Sequence, residues 1–197
     1  MTLSATGTAT GLSRIYVDSR AGGAGADGSA DKPFDTFAEA MAIVPDVSDE
    51  ASFSAMLLHM RTIVVAGNVG DITVDKPVLI DNTSGIIGTL TCTAPVLLLD
   101  GGYVTTLGAT EAEDIRVQNA SITTITLEDC TANFIGCQIG TLTLSGDVGG
   151  AVTLVNSVVS NEVTIPAEYT AMAISSVLLE GFSGSITDYN SGVHDGT

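Results

Sequence analysis

The sequence predicts an all-β solenoid, a rod of stacked coils in which short strands pair in parallel. Its 197 residues are 45% apolar but only 5% aromatic, so the interior must consist mainly of Val, Ile, Leu and Ala. Together with 22 Gly and abundant Thr, this composition favours short strands and tight turns over a helical bundle.

An irregular repeat in residues 61–187 is the second observation that predicts the fold. Each unit has an apolar strand, a small or turn-forming residue and a second apolar alternation. A period of about 20 residues is typical of a β-solenoid, because stacking buries the face that one coil leaves exposed. A β-sandwich is the alternative, and it would show more hairpin dipeptides. The turn positions, spaced 18, 17, 20 and 19 residues apart, are Gly101, Asn119, Gly136, Asn156 and Ser175.

Ahead of the coils, residues 14–60 predict a first strand followed by capping helices. Residues 1–13 have little to bury and predict an arm that becomes ordered on a partner. The segment RIYVD at 14–18 alternates like a strand. Thr36 followed by Glu39 forms a capping box at the start of a helix that Pro45 ends. The apolar face of this helix is expected to comprise Phe34, Phe37, Ala38 and Met41.

A second helix is predicted in SDEASFSAMLLHM. Phe53, Met56, Leu57 and Met60 would share one face, and Asp49 and Glu50 would lie in the first turn, where the helix dipole favours acids. At the other end of the chain, residues 188–197 form a polar tail.

The charge balance argues against several classes of partner. The 23 acidic and 6 basic residues give a net charge of −17. Such a surface repels phosphate backbones and anionic membranes, so neither nucleic acid nor membrane is an expected partner. The N-terminus lacks the basic region and apolar core of a secretory signal. Cys92, Cys130 and Cys137 are odd in number and lack metal-like spacing, which predicts free, buried thiols in a chain made in a reducing compartment.

The glycine-rich stretch GGAGADGSA, residues 22–30, is close to a calcium-binding nonapeptide repeat. It departs from that repeat at Ser29, where an apolar residue is required, and it has no second copy to share the ion. We therefore interpret it as a turn that precedes the first helix, rather than as a calcium site at Asp27. No cofactor and no metal are expected.

Residues 15–41 resemble the N-terminal segment of the right-handed parallel β-helix superfamily, which includes pectate-lyase-like proteins and phage tailspikes. The resemblance implies a right-handed parallel β-helix, and it says little about activity because this scaffold carries lyases, hydrolases and inert rods. An open solenoid end exposes strand backbone and apolar interior, and Phe34, Phe37 and Met41 are suited to close it. The matching positions are Tyr16, Val17, Asp18, Gly28, Ser29, Pro33, Phe34, Thr36 and Ala40.

The acidic side chains of the coils are the remaining candidates for chemistry. An acidic cluster along one edge is predicted, and it serves either as a solvated protrusion or as a weak cation site. Glycoside hydrolysis needs only two carboxylates, but the coils offer few aromatics to line a sugar groove, and both histidines lie outside them. No catalytic residue is assigned. The cluster comprises Glu111, Glu113, Asp114, Glu128 and Asp129.

These observations predict a non-enzymatic phage virion protein, either a capsid decoration or head-fibre protein or a tailspike-like appendage. It would assemble in the host cytoplasm as a homotrimer, contact other virion proteins of the capsid or tail, and touch a host-surface glycan. The alternatives are a carbohydrate-active β-helix enzyme and a glycan-binding module that uses Tyr103 or Tyr169.

Overall fold

The computed structural model describes residues 13–21, 23–50, 52–178, 182–189 and 192–193. The predicted arm, apart from Ser13, and most of the predicted tail lie outside these residues. Two short helices and sixteen strands make up the described part. The helices are α1 (Phe37–Ile43) and α2 (Phe53–His59), and the strands are β1 (Arg14–Asp18), β2 (Arg61–Val74), β3 (Val78–Cys92), β4 (Val96–Asp100), β5 (Tyr103–Thr110), β6 (Asp114–Gln118), β7 (Ser121–Glu128), β8 (Thr131–Ile135), β9 (Gln138–Ser145), β10 (Ala151–Val155), β11 (Val158–Thr164), β12 (Thr170–Ile174), β13 (Val177–Leu178), β14 (Phe182–Ser183), β15 (Thr187–Tyr189) and β16 (Gly192–Val193).

The named strands form one sheet in which every registered pairing is parallel, wound into a solenoid of about seven turns. The first ladder contains β1, β4, β6, β8, β10, β12 and β15 together with the first halves of β2 and β3. The second ladder contains β5, β7, β9, β11, β13, β14 and β16 together with the second halves of β2 and β3. The all-β solenoid prediction is confirmed, and the sandwich alternative is wrong.

The interior consists of columns of apolar side chains, one residue from each coil. Parallel in-register pairing places equivalent positions directly above one another, so a strand that alternates apolar and polar residues buries the same face in every coil. One column lies in the first ladder and a second lies in the second ladder, and their members are almost fully buried. The first is Ile63, Ile80, Leu99, Val117, Phe134 and Leu154, and the second is Ile72, Leu90, Leu107, Ile125, Leu142 and Val163.

Corner one, which joins the first ladder to the second, contains all five turn positions predicted from the repeat. Each of them has a positive φ, a backbone conformation that Gly and Asn adopt at least cost. At the first four of these positions the amide donates to the strand carbonyl of the next coil, as in Asn119 N to Ile135 O at 2.9 Å. The five φ values are 76° at Gly101, 54° at Asn119, 65° at Gly136, 48° at Asn156 and 49° at Ser175.

Helix α1 begins with the predicted capping box. The Glu39 amide donates to Thr36 Oγ1 at 3.3 Å, and the Thr36 amide donates to Glu39 Oε2 at 3.0 Å. The predicted apolar face is only partly correct, because Ala38 is exposed while Ala40 is buried with Phe37 and Met41.

Helix α2 differs more from its prediction. Ser52 is its N-cap, so Asp49 and Glu50 precede the helix instead of lying in its first turn. Met56 packs with Val47 and Val96, which places the helix against the outward face of β4 rather than over an end of the rod. The predicted face is also less buried than expected, since Leu57 is 41% exposed. In the described part of the chain, neither helix has the length and apolar character needed to cross a membrane.

Candidate functional site

The start of the solenoid is built from β1, the glycine-rich turn and α1. Strand β1 pairs with β2, and the Phe34 amide donates to Tyr16 O at 2.9 Å. The Phe34 ring lies over Gly28, where a Cβ atom would stand 2.6 Å from the ring. Gly28 also has a φ of 77°, so the position requires glycine for both space and backbone conformation.

Asp27 serves the same turn. Its Oδ1 accepts from the Ser29 amide at 3.0 Å, and the Asp27 and Gly28 amides both donate to Lys32 O at 3.0 Å. The hydrogen bond from Ser29 holds the pKa of the Asp27 carboxyl below its usual value. The geometry is that of a tight turn that feeds the chain toward α1, in agreement with the turn interpretation.

The three residues proposed to close the solenoid end contact its core. Phe37 and Met41 are buried and belong to the main hydrophobic cluster, and the half-buried Phe34 packs against that cluster. Lys76 Nζ donates to Met41 O and to Val44 O, each at 3.1 Å, and so satisfies two carbonyls at the end of α1. The Lys76 ammonium therefore stabilises the C-terminal end of α1.

A groove of about 540 Å³ separates α1 from the second half of β2. Thr36 and Met41 line one wall, and Ile72, Asp75 and Lys76 line the other. The wall next to the sheet is irregular, with positive φ at Gly67 and Gly70 and register shifts in the pairing of β2 with β3. Such bulges are a common way of protecting an exposed strand edge from further pairing.

The predicted acidic cluster lies at corner two, which joins the second ladder to the first ladder of the next coil. Glu111 and Asp129 have positive φ values of 56° and 52°, and the Glu111 amide donates to Glu128 O at 2.9 Å. Stacking thus brings together the backbone of successive acidic turns, as the repeat suggested.

Two of the five carboxylates are engaged by nearby groups. Asp114 forms an ion pair with Arg116 at 2.7 Å, and the Arg116 guanidinium lies 4.6 Å from the centre of the Phe53 ring. Asp129 Oδ1 accepts from the Val148 amide at 2.9 Å and from the Gly149 amide at 2.7 Å. Glu111, Glu113 and Glu128 are exposed. Within the described ranges, no three His, Cys, Asp or Glu side chains group closely enough to hold a metal ion.

The aromatic residues of the coils divide into buried and exposed ones. Phe134 is fully buried, as predicted for a core position. Tyr169 is only 6% exposed, and its hydroxyl accepts from the Cys130 amide at 2.9 Å, so the alternative that offers Tyr169 to a glycan is wrong. Tyr103 is 40% exposed, and its hydroxyl lies 2.7 Å from Thr123 Oγ1. No sequence signal distinguished these two tyrosines, because the difference depends on a contact between distant coils.

The three cysteines are free and buried, which confirms the prediction for their side chains. Burial raises the pKa of each thiol, and it raises that of Cys92 to about 11. Cys137 lies at corner one and Cys130 at corner two, so each corner carries a buried thiol.

Sequence reasoning missed the three buried polar residues of the described part of the chain, Asn82, Ser157 and Ser176. Asn82 lies inside β3, at the corner-one bend between its two halves, is fully buried and donates through Nδ2 to Tyr103 O at 3.3 Å. Gly85 and Gly102 lie against it, and a Cβ atom at either would overlap it. The glycines in NTSG (82–85) and DGG (100–102) were the sequence signal for this close packing, since glycine marks places where another group approaches the backbone closely.

Comparison with known proteins gives no match: no family model fits the chain, and no curated protein or solved structure is significantly similar to it.

Proposed function

We propose that the chain is a non-enzymatic structural protein of a phage particle, either a capsid decoration or head-fibre protein or a tailspike-like appendage. The observation that carries the proposal is the use of charged side chains in the coils. Asp129 secures a turn, Asp114 and Arg116 pair on the surface, and Lys76 closes a helix end. A rod whose charges maintain its own shape is suited to a scaffold role.

The proposal includes two finer features of the fold. The solenoid is right-handed, since parallel strands of one sheet are joined by right-handed crossovers in nearly all known cases. Helix α1 covers the first coil, supported by the burial of Phe37 and Met41 in the same cluster as Ile63 and Ile72. Covering this end shields apolar interior and a strand edge from unwanted pairing.

The proposed assembly is a homotrimer that contacts other virion proteins. A rod with a net charge of −17 repels free copies of itself, so specific contacts must provide the association. Most homo-oligomers have closed point-group symmetry, and a three-fold ring is one such arrangement.

Two measurements test the proposal. Native mass spectrometry of the purified protein is expected to show three copies, and a strict monomer would contradict the trimer. Immunogold labelling of particles from the lysate of the phage that encodes the chain is expected to mark the capsid or tail. Label confined to soluble protein, or steady cleavage of a polysaccharide by the purified chain, would contradict the structural role.

A further inference from the structure

Helix α2 carries apolar side chains on its outer side as well as on the side that faces the sheet. Met56 is buried against Val47 and Val96, as expected for the inner side. The next two residues, Leu57 and Leu58, are 41% and 80% exposed. A surface helix normally has polar residues on its outer side, and exposed apolar patches mark places where another molecule packs. The outer side of α2 is therefore a candidate interaction surface.

A small groove of about 190 Å³ lies beside this helix, on the outward face of the first ladder across β3, β4 and β6. Leu79 and Leu98 contribute to it from one outward column, which in most other coils carries polar residues such as Thr62 and Asn133. Both leucines are half-buried, so α2 covers them only in part. The lining residues are Leu57, Leu79, Leu98, Leu99, Asp100, Arg116 and Gln118.

A projecting leucine and an apolar groove thus lie side by side on one face of the molecule. Leu57 lines the groove, and Leu58 follows it in the chain and is the more exposed of the two. The groove is large enough to receive one aliphatic side chain. A surface that holds both a projection and a matching recess can pack against a copy of itself around a two-fold axis, because each chain then supplies the projection for the other.

The charges of the groove also favour a second copy as its partner. The chain has a net charge of −17, so most faces of two copies repel each other. The charged residues of the groove lining, in contrast, are one acid and one base, Asp100 and Arg116. Arg116 bonds to Asp114 through Nε and Nη2, which leaves Nη1 for another acceptor. A two-fold axis reverses the order of the two charges in the second copy and brings opposite charges together.

We propose that α2 and the groove beside it form a two-fold self-association surface. Leu58 of each copy enters the groove of the other, and Arg116 of each copy pairs with Asp100 of the other. The inference goes beyond the proposed function and does not rest on the trimer, because the surface is complete in a pair of chains. If the three-fold contact also forms, two trimers join into an assembly of six chains.

Sedimentation equilibrium of the whole chain at about 100 µM counts the copies, since the pairing is expected to have a Kd of about 10 µM or lower. About 0.15 M salt screens repulsion between exposed charges beyond about 8 Å. Two copies would support the pairing and contradict the trimer, and six copies would support both. Three copies would support the trimer and overturn the pairing, and a strict monomer would contradict both.

Leu58→Glu tests the projecting side chain. Glutamate is a good helix former, so this exposed position should accept it without loss of the fold, while self-association weakens at least tenfold. The matched control is Val148→Glu, which places the same charge at a valine that is 86% exposed at corner two, and it should keep the wild-type number of copies. Unchanged association of Leu58→Glu, or equal loss in Val148→Glu, would overturn the proposal. Unfolding midpoints close to that of the wild type establish that the variants are folded.

Two charge reversals test the two-fold geometry. Asp100→Lys and Arg116→Glu should each weaken self-association at least tenfold, because each variant alone places like charges at both contacts of the pair. An equimolar mixture restores opposite charges at both contacts, so the two variants should associate with each other within about threefold of the wild-type Kd. Failure of the mixture to associate, or wild-type association of either variant alone, would overturn the assignment of Asp100 and Arg116.

Discussion

The two corners of the solenoid solve the same problem in different ways. Corner one inserts two residues between the ladders in coil after coil, from Gly101 and Gly102 onward, and keeps both ladders in register. Corner two varies, and its crossings include the short stretch 127–131 and the longer stretch 144–151.

Their sources of stability differ accordingly. Corner one depends on backbone conformation. In each coil from Gly101 to Ser175, its first residue has a positive φ and its second residue is small. Corner two also has residues of positive φ, such as Glu111 and Asp129, but it adds bonds from individual side chains, since Asp129 accepts from the Val148 and Gly149 amides and Tyr169 accepts from the Cys130 amide. Corner one therefore keeps successive coils in register, whereas corner two accommodates differences in the length of the coils.

The largest effect is expected from a backbone change at corner one. Gly102 has a φ of 74°, and a Cβ atom there would overlap the Asn82 carbonyl oxygen. Gly102→Ala should therefore lower the free energy of unfolding by about 3 kcal/mol or more. Gly108→Ala is the control, because its Cβ meets no atom within 4 Å, and it should change stability by less than about 1 kcal/mol. Guanidinium unfolding measures both, and equal midpoints would show that corner one does not depend on glycine.

At corner two, removing the Asp129 carboxylate should have the next largest effect. Asp129→Ala leaves the Val148 and Gly149 amides without their acceptor and places alanine at positive φ, for an expected loss of about 2 kcal/mol. Asp129→Asn keeps an oxygen acceptor and tolerates the conformation, so it should recover more than half of that loss. Urea unfolding and the rate of proteolysis within residues 145–150 measure the effect. If the exposed neighbour variant Glu128→Ala were equally damaging, the contact with the turn would not be the cause.

Replacing two tyrosines by phenylalanine compares the contribution of a buried hydrogen bond to stability with that of an exposed one. Tyr169→Phe removes the acceptor of the buried Cys130 amide and should cost about 1–2 kcal/mol. Tyr103→Phe also removes one hydroxyl, but from an exposed bond, and should cost less than about 0.5 kcal/mol. Thermal unfolding of the two variants in parallel tests the difference, and a larger loss for Tyr103→Phe would reverse the interpretation.

The smallest effect concerns local opening of the corners. Burial raises the pKa values of the Cys130 and Cys137 thiols, so at pH 8 both should react with an alkylating reagent much more slowly than in the unfolded chain. Cys130 lies in a short crossing, but the longer crossing 144–151 of the next coil covers it, with Gly150 next to the Cys130 carbonyl, so opening of that longer crossing should make Cys130 react about tenfold faster than Cys137. Mass spectrometry of peptides after timed alkylation provides the rates. Faster reaction at Cys137 would show that the regular corner is the less stable one.

Much of the fold was predictable because its determinants are local or periodic. The capping box of Thr36 and Glu39 is a contact between residues three positions apart. The turn positions of corner one follow from a steady period and from residues that accept positive φ. The boundaries of α2 were missed because Asp49 and Glu50 are as compatible with the turn before a helix as with its first turn, and Ser52 decided the matter.

The candidate sites were less predictable. Asp129 bonds to residues about one coil further along the chain, and Tyr169 bonds to Cys130 across 39 residues, so neither partner could be identified from spacing. The bulge in β11 was missed entirely, since it is defined only by the pairing of Val159 with Ile139 and of Glu162 with Thr141 in the neighbouring strand.

By itself, the sequence determined that this protein is a parallel solenoid, where its coils turn and where its first helix begins. These features depend on periodic burial and on backbone preferences that each residue carries with it. Only the tertiary structure decided which carboxylates are engaged, which tyrosine is exposed and where the second ladder has a bulge. Those outcomes depend on which residues of successive coils are stacked together, and a single insertion in one coil changes that stacking.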